Sequence, residues 1–254
     1  MKSVYTFLSA LGLILMMSSP TWAQNDRYQL YVVHEDHVKE GKIDQHHKAD
    51  MDIVKAAKDN NMKGMSWITF VADDNRVMYL SPIDNMGELD KNPFEDLEKK
   101  MGKDQYEKLF DTYDGTYSKH GDYILRLDNE LSYMPDGMNI TPEGENYRRL
   151  VFYHIPPGKA EMAEEIAKEA KKLYTSKNTG THYRLYKSGF GNMGSFFMVA
   201  ASAKNEQEME KRREETKKLL GEEGEALRKK IDETFSDIEV LTGHIKPELS
   251  YVQN

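Results

Sequence analysis

Hydrophobic and polar residues follow two alternating periods along this chain, a period of two and a helical period. Tyr28–His34 alternates and is rich in β-branched and aromatic residues, which predicts a strand. Residues 39–61 then carry Ile43, His47, Met51 and Val54 at helical spacing, which predicts an amphipathic helix. The same patterns predict strands over 65–71, 76–80 and 123–127, and helices over 94–101 and 104–117.

This order of elements then returns along the second half of the chain. Glu248-Leu249-Ser250-Tyr251 repeats Glu130-Leu131-Ser132-Tyr133 at an offset of 248 − 130 = 118, and Ile166 follows His47 by 166 − 47 = 119. An internal repeat of this length fixes the architecture before any motif does. The second copy is predicted to have strands over 147–155, 181–186, 195–201 and 238–242, and helices over 156–173, 206–220 and 225–235.

Each copy therefore predicts a β-α-β-β-α-β unit with a broken second helix, the ferredoxin-like arrangement. Its first strand is apolar on both faces, with Leu30 and Val32 on one and Tyr31 and Val33 on the other. The face that the helices leave open must therefore be buried too, and the sheet of the other copy is the nearest cover. We predict an α+β fold in which two such units pack sheet to sheet as an intrachain barrel.

With this element order and duplication, the chain resembles the dimeric α/β-barrel superfamily. That superfamily includes stress-responsive barrels, antibiotic-biosynthesis monooxygenases and small haem-handling proteins. The resemblance covers nearly the whole chain after residue 23, but no sequence motif is shared, so no catalytic residue is carried over. It implies that one chain supplies both halves of the barrel and behaves as a monomeric pseudo-dimer.

The ends and the composition set the boundaries of these units. Met1–Ala23 has a lysine, an apolar run and a Thr21-Trp22-Ala23 cleavage site, which predicts a secretory signal peptide and a periplasmic or secreted protein. The first unit is predicted over 24–133, a linker rich in Gly, Pro and Asn over 134–146, and the second unit over 147–254. No further apolar run predicts a membrane span.

Charge and cysteine content exclude several classes of function. The formal net charge of −8 argues against a nucleic-acid partner. The chain has no cysteine, which excludes disulfides, thiol catalysis and thiolate metal sites. The segment 189–194 has three glycines in the dinucleotide-binding spacing, but a strand and not a helix follows it, so we interpret it as a hairpin loop.

Histidines and carboxylates crowd the start of the first helix. His46 and Asp50 share a helix face and could bind a divalent metal together with His37, or simply form a solvated polar helix start. His47 falls on the predicted apolar stripe, where the second copy has Ile166. It is either a hydrogen-bonded core histidine or a pocket residue that moves a proton or ligates haem. His34 and His154 end the first strands and could face the barrel or cap it.

Two arginines inside apolar strands, Arg126 and Arg184, would anchor an anionic ligand if their strand faces turn inward, and otherwise face solvent or an acid. Aromatic and histidine side chains could line the same cavity, although strand aromatics are more often simply core. The predicted ligand-binding set is Trp67, Tyr79, Arg126, His154 and Arg184.

Three functions are compatible with these features. The first is an exported protein that binds a small, largely apolar molecule between its two sheets. The second is a monooxygenase or haem-modifying enzyme, as the resemblance implies, with His47 or His34 as the working residue. The third is a scaffold without a ligand. Fold class alone hosts many functions and decides none of them.

Overall fold

The computed structural model describes residues 27–253 as an α+β fold with a closed antiparallel barrel of eight strands and five helices. The predicted signal peptide lies outside the described residues. The strands are β1 (Tyr28–Val38), β2 (Ile68–Ala72), β3 (Arg76–Ile83), β4 (Tyr117–Tyr133), β5 (Tyr147–Ile155), β6 (Tyr183–Ser188), β7 (Ser195–Ala203) and β8 (Asp237–Ile245). The helices are α1 (Ile43–Asp59), α2 (Glu95–Met101), α3 (Lys103–Phe110), α4 (Ala160–Lys177) and α5 (Glu206–Thr234). None of the described helices is long and apolar enough to cross a membrane.

The strand order around the barrel is β1-β3-β2-β8-β5-β7-β6-β4. The first half therefore forms a sheet in the order β4-β1-β3-β2, and the second half one in the order β8-β5-β7-β6. Two seams join them, one between β2 and β8 and one between β4 and β6. Because the barrel closes through both seams, neither sheet keeps an unpaired edge.

Apolar side chains fill the space between the two sheets. They alternate along the strands, so that Tyr31 and Val33 of β1 meet Leu150 and Phe152 of β5 in one buried cluster. Met78, Leu125, Tyr186 and Met198 belong to the same cluster. Core side chains therefore occupy the space between the sheets, and a ligand bound there stays a prediction.

The helices cover the outside of the barrel and enclose two further cores. The buried face of α1 consists of His46, Ala49, Asp50, Ile53, Val54 and Ala57. The predicted stripe through His47 and Met51 is wrong, since Met51 is 46% exposed. The true stripe begins one residue earlier on the helix.

Equivalent points of the two halves lie 117 residues apart. The strands before the first helices end at Val38 and Ile155, and 155 − 38 = 117. Left-handed glycines precede both helices at Gly41 and Gly158, and 158 − 41 = 117. The offset of 119 that paired His47 with Ile166 is therefore wrong, because α1 and α4 begin at Ile43 and Ala160, again 160 − 43 = 117 residues apart.

Ion pairs around the buried carboxylate of Asp128 hold the two halves together. The carboxylate of Asp128, on β4, is fully buried and lies 2.8 Å from Arg27 Nη2 and 3.1 Å from Lys187 Nζ on β6. Glu164 of α4 contacts the same two cations. These contacts cross the β4–β6 seam and fix the second half against the first.

Candidate functional sites

The outer face of the first sheet carries two H-x-D pairs on neighbouring strands. His34 and Asp36 lie on β1, and His120 and Asp122 lie on β4. The antiparallel register sets His34 opposite Asp122 and Asp36 opposite His120. Because side chains alternate along a strand, all four point to one face as a compact square.

Within this square, one buried carboxylate oxygen is in ion-pair contact with His34 but forms no hydrogen bond with the described residues. Nδ1 of His34 lies 2.9 Å from Asp122 Oδ1, and Nε2 of His34 lies 3.3 Å from Asp36 Oδ1. The Asp36 carboxylate is only 4% exposed, and Oδ1 forms no hydrogen bond with any described residue. One ligand atom each from His34, Asp36 and His120 lies within 4.8 Å of the others.

A second layer of polar side chains continues from this square under α1. His46 lies with Nδ1 2.9 Å from Thr116 Oγ1 and with Nε2 3.0 Å from the hydroxyl of Tyr79. That hydroxyl donates to Asp50 Oδ1 at 2.5 Å, and Tyr113 donates to the same oxygen at 2.7 Å. Nε2 of His46 also lies 3.4 Å from Asp36 Oδ2, so the layer connects to the square.

The surroundings shift the pKa values of this network in different directions. Burial lowers the pKa of His46 to about 4. Burial also raises the pKa of Asp50 to about 6, against the two tyrosine hydrogen bonds that oppose it. At His34, burial would lower the pKa, but the adjacent carboxylates of Asp36 and Asp122 outweigh it and raise the pKa to about 9.

The second half shows that the fold does not need these polar groups. At the equivalent positions, 117 residues later, Asp36 is replaced by Tyr153, His46 by Ala163 and Asp50 by Ala167. The second half builds the same helix–sheet interface with apolar residues. Buried charges are costly unless they are paired or serve a function, so the first-half network is a functional candidate.

The second half instead has an apolar cavity between its helices and the outside of its sheet. Its volume is about 210 Å³. The walls are aromatic and aliphatic side chains from both helices and three strands, among them Tyr153, Tyr174, Tyr183, Phe197, Leu227 and Phe235. Arg228 is the one charged residue among those that line it.

Tyr183 supplies an orphan hydroxyl in this cavity. The residue is 6% exposed, and its oxygen has no hydrogen-bond partner among the described residues. Its ring stands edge-on to that of Tyr174, with ring centroids 5.3 Å apart. Burial raises the pKa of Tyr183 far above its usual range, so the group is a neutral donor. A buried hydroxyl without a partner is the polar feature that a ligand acceptor would satisfy.

The structure brings together only part of the predicted metal set. His46 and Asp50 are both buried and joined through the hydroxyl of Tyr79. His37, however, lies three residues after His34 on β1, so its side chain points to the opposite face of the strand. Its Nε2 lies 2.9 Å from Glu35. His37 is therefore not part of a site with His46 and Asp50. His47 is half-buried outside the network, and burial lowers its pKa.

The five predicted ligand-binding residues do not share one cavity. Trp67 is core, with Nε1 donating to the carbonyl of Leu249, and Arg126 is exposed on the barrel exterior. Tyr79 belongs to the polar network of the first half. Arg184 is buried in the barrel and donates to the linker carbonyl of Asn139 at 2.8 Å. His154 shares the inward strand face of Phe152, whereas His34 faces outward, so the two histidines are not equivalent.

Sequence reasoning missed His120 and Asp122. The signal for both was present, because His34-Glu35-Asp36 and His120-Gly121-Asp122 share one spacing. The prediction started the strand at residue 123, but β4 begins at Tyr117. The glycine-rich segment is a hairpin loop between β6 and β7, as predicted, and it packs against β4: the carbonyl of Phe190 accepts from Ile124 N at 2.8 Å.

No protein-family model and no curated protein matches the chain. Solved structures do match over most of its length. An anthrone oxidase-like protein aligns at 14% identity and a TM-score of 0.60, covering 88% of this chain and 93% of its own. A putative monooxygenase from Fusobacterium nucleatum aligns at 11% identity and 0.52, covering 89% and 98%. A mutant chlorite dismutase from Candidatus Nitrospira defluvii aligns at 10% identity and 0.51, covering 86% and 92%.

The matches and the closed eight-stranded barrel together decide the fold. The chain has the dimeric α/β-barrel fold. At these identities the likeness extends to the fold alone, so the chemistry of this α/β barrel has to be argued from its own side chains.

Haem is a cofactor that the sequence analysis left open, and the second-half cavity does not fit it. The residues that line the cavity include no histidine and no methionine, and the chain has no cysteine. Tyrosine can ligate haem iron, but only as a phenolate, and the raised pKa of Tyr183 opposes that form. The residues of this cavity therefore do not support haem chemistry in this α/β barrel.

Proposed function

We propose that this protein binds a small, flat, largely apolar molecule in the second-half cavity and oxidises it with molecular oxygen as a monooxygenase-type enzyme. One oxygen atom of O₂ enters the product as a carbonyl, and the other leaves as water with two hydrogens of the substrate. The observation that carries the proposal is the orphan hydroxyl of Tyr183 inside an apolar, aromatic-walled space. Ligand sites are usually apolar clefts in which a few polar groups fix orientation. Here the neutral hydroxyl of Tyr183 would donate to the acceptor of a ligand and fix the orientation of that ligand.

The size and the walls of the cavity favour an aromatic ligand. An engineered apolar cavity of about 150 Å³ binds benzene, so a cavity of about 210 Å³ suits one or two fused rings. Rings such as those of Tyr174 and Phe197 favour edge-to-face and offset contacts with another ring. A phenol or aryl ketone would combine both requirements, since its oxygen can accept from Tyr183.

The reaction class is supported by the proteins that share the fold. They include a putative monooxygenase and an anthrone oxidase-like protein, whose name implies an aromatic ketone. The cavity lining offers no carboxylate and no imidazole as a base. A fused-ring phenol of two rings, such as a naphthol, which carries its own weakly acidic hydrogen, would therefore be favoured. Arg228 is the one charged residue of the lining, and it is ion-paired with Glu225 and Asp232.

A matched pair of probes tests binding. Titration calorimetry would compare 1-naphthol with naphthalene, which has the same rings without the oxygen. We expect 1-naphthol to bind at least ten-fold more tightly to the native protein, and this advantage to disappear in Tyr183→Phe. Equal binding of the two probes by the native protein would contradict the role of Tyr183, and binding of neither would contradict the ligand site.

An oxygen electrode tests the reaction separately. Native protein and Tyr183→Phe would be compared for oxygen uptake with 1-naphthol. Uptake that depends on protein and falls in Tyr183→Phe supports the oxidation. Tight binding without any uptake would leave a binding protein and reject the monooxygenase assignment.

We also infer that the barrel arose as a tandem duplication of one ferredoxin-like unit, over 24–133 and 147–254. The common element order of the two halves and the two equivalent offsets of 117 support this inference. We further propose that residues 1–23 direct export and are cleaved after Ala23. N-terminal sequencing of the mature protein would test it, and an intact Met1 would contradict it.

A further inference from the structure

The H-x-D square of the first half has the composition of a metal centre. It offers two imidazoles and one buried carboxylate, and the carboxylate oxygen that faces the group has no hydrogen bond. We infer that His34, Asp36 and His120 bind one divalent first-row transition-metal ion. This site goes beyond the proposed function and does not depend on it, since the aromatic cavity lies in the other half of the barrel.

The distances suit an ion of this class. Zinc and its neighbours bind imidazole nitrogen and carboxylate oxygen at about 2.0–2.2 Å, which places two ligands of one ion about 3.0–3.5 Å apart. Nε2 of His34 and Oδ1 of Asp36 are 3.3 Å apart without forming a hydrogen bond. His120 is exposed on β4 and directly opposite Asp36, so its ring can turn to complete the set.

The surroundings support the two ligands of β1 from behind. Asp122 Oδ1 lies 2.9 Å from Nδ1 of His34, which orients the ring and leaves Nε2 facing Asp36. A carboxylate behind a metal-bound histidine is the usual arrangement in protein metal sites. On the buried side, His46 lies 3.4 Å from the other oxygen of Asp36. The carboxylate is thus fixed with one oxygen toward the protein and one toward the site.

The chemistry of the donor set narrows the ion. Two imidazoles and a carboxylate suit zinc or ferrous iron better than magnesium or calcium, which prefer oxygen ligands. Three protein ligands on a partly exposed face leave coordination positions for water or a substrate, as in catalytic centres. A closed structural site would need a fourth ligand, and the three-residue group is what the described residues provide.

The test is titration of metal-free full-length mature protein with Zn²⁺ and, separately, Co²⁺. We expect one ion per chain at micromolar affinity or tighter, and visible absorption bands on Co²⁺ binding. His120→Ala should weaken binding at least ten-fold, and Asp122→Asn by about ten- to a hundred-fold, as loss of an orienting carboxylate does. Because His120 is exposed, circular dichroism should show an unchanged fold.

His37→Ala is the matched control. His37 lies on β1, the strand that carries His34 and Asp36. It also has a carboxylate neighbour, and it faces away from the square. We expect it to bind Zn²⁺ as the native protein does. Absence of stoichiometric binding by the native protein, or an equal loss in His37→Ala and His120→Ala, would overturn the inference. Tyr183→Phe should leave metal binding unchanged, so failure at one site is distinguishable from failure at the other.

Discussion

The orphan hydroxyl of Tyr183 gives the sharpest test of the structure, because its removal should stabilise the protein. Tyr183→Phe keeps the ring and its packing and deletes only an oxygen that has no hydrogen-bond partner among residues 27–253. A buried polar group without a hydrogen bond costs about 1–3 kcal/mol. We therefore expect the free energy of unfolding to rise by about 1 kcal/mol in the absence of ligand, at the low end of that range.

Tyr251 provides a matched comparison. It is 6% exposed, as is Tyr183, but its hydroxyl donates to the carbonyl of Met62 at 2.8 Å. Tyr251→Phe should lose about 1 kcal/mol, the net worth of one such hydrogen bond. The two variants should thus differ by about 2 kcal/mol, or about 4–8 °C in melting temperature for a protein of this size.

Differential scanning calorimetry and urea unfolding would measure both variants beside the native protein. The melting temperature should rise for Tyr183→Phe and fall for Tyr251→Phe. Equal losses in the two variants would refute the reasoning, because they would show that the Tyr183 hydroxyl is already satisfied. A stabilised Tyr183→Phe that also loses its preference for 1-naphthol would show that the same atom trades stability for ligand binding.

Three further perturbations test the barrel and its ion pairs. Gly243→Ala should destabilise the protein by about 2 kcal/mol or more in urea unfolding, because an added Cβ would lie 2.1 Å from the carbonyl of Val71 across the β2–β8 seam. An unfolding midpoint equal to that of the native protein would show that the seam is looser than described. Asp128→Asn should cost about 3 kcal/mol at neutral pH, since it leaves two cations without their buried partner. Burial opposes ionisation of Asp128, but those cations hold its folded-state pKa below the usual range, so its stabilisation is present above about pH 4 and is lost as pH falls further. The gap between the variant and the native protein should then shrink in acid, and a gap that is constant from pH 7 to pH 3 would contradict this sign. Residues 24–138 and 139–254, expressed separately, should fail to fold as soluble monomers, because each sheet buries its inner face only against the other; a cooperative melt of either half would show otherwise.

Local patterns in the sequence were sufficient for the elements and their order. The alternation of Tyr28–His34 belongs to β1, and the break expected near residue 221 is the kink at Gly221 in α5, where φ is 53°. The glycine-rich segment was rightly interpreted as a hairpin. Periodicity and turn chemistry are properties of neighbouring residues, so one sequence can reveal them without any knowledge of distant contacts.

The faces of the elements could not be read in the same way. A shift of one residue turns every side chain of a strand to its opposite face. His34 and His154 end the first strands of the two halves, and the sequence left open whether they face the barrel. In the structure His34 faces outward and His154 inward. The α1 stripe failed for a related reason, since His46 rather than His47 is buried. Apolar and polar residues mix on this helix, so its own pattern does not define the buried face.

The candidate sites were decided by pairings that are remote in sequence. In the sequence, the first residues of β4 look like a polar loop. They form a strand because β1 supplies the hydrogen bonds, with His120 opposite Asp36, 120 − 36 = 84 residues earlier. That pairing alone brings the two H-x-D segments into one square. The sequence by itself determined which residue types were available and which local elements they form. The tertiary structure decided which of them meet, because register, strand parity and barrel closure are set by contacts between segments that no local pattern records.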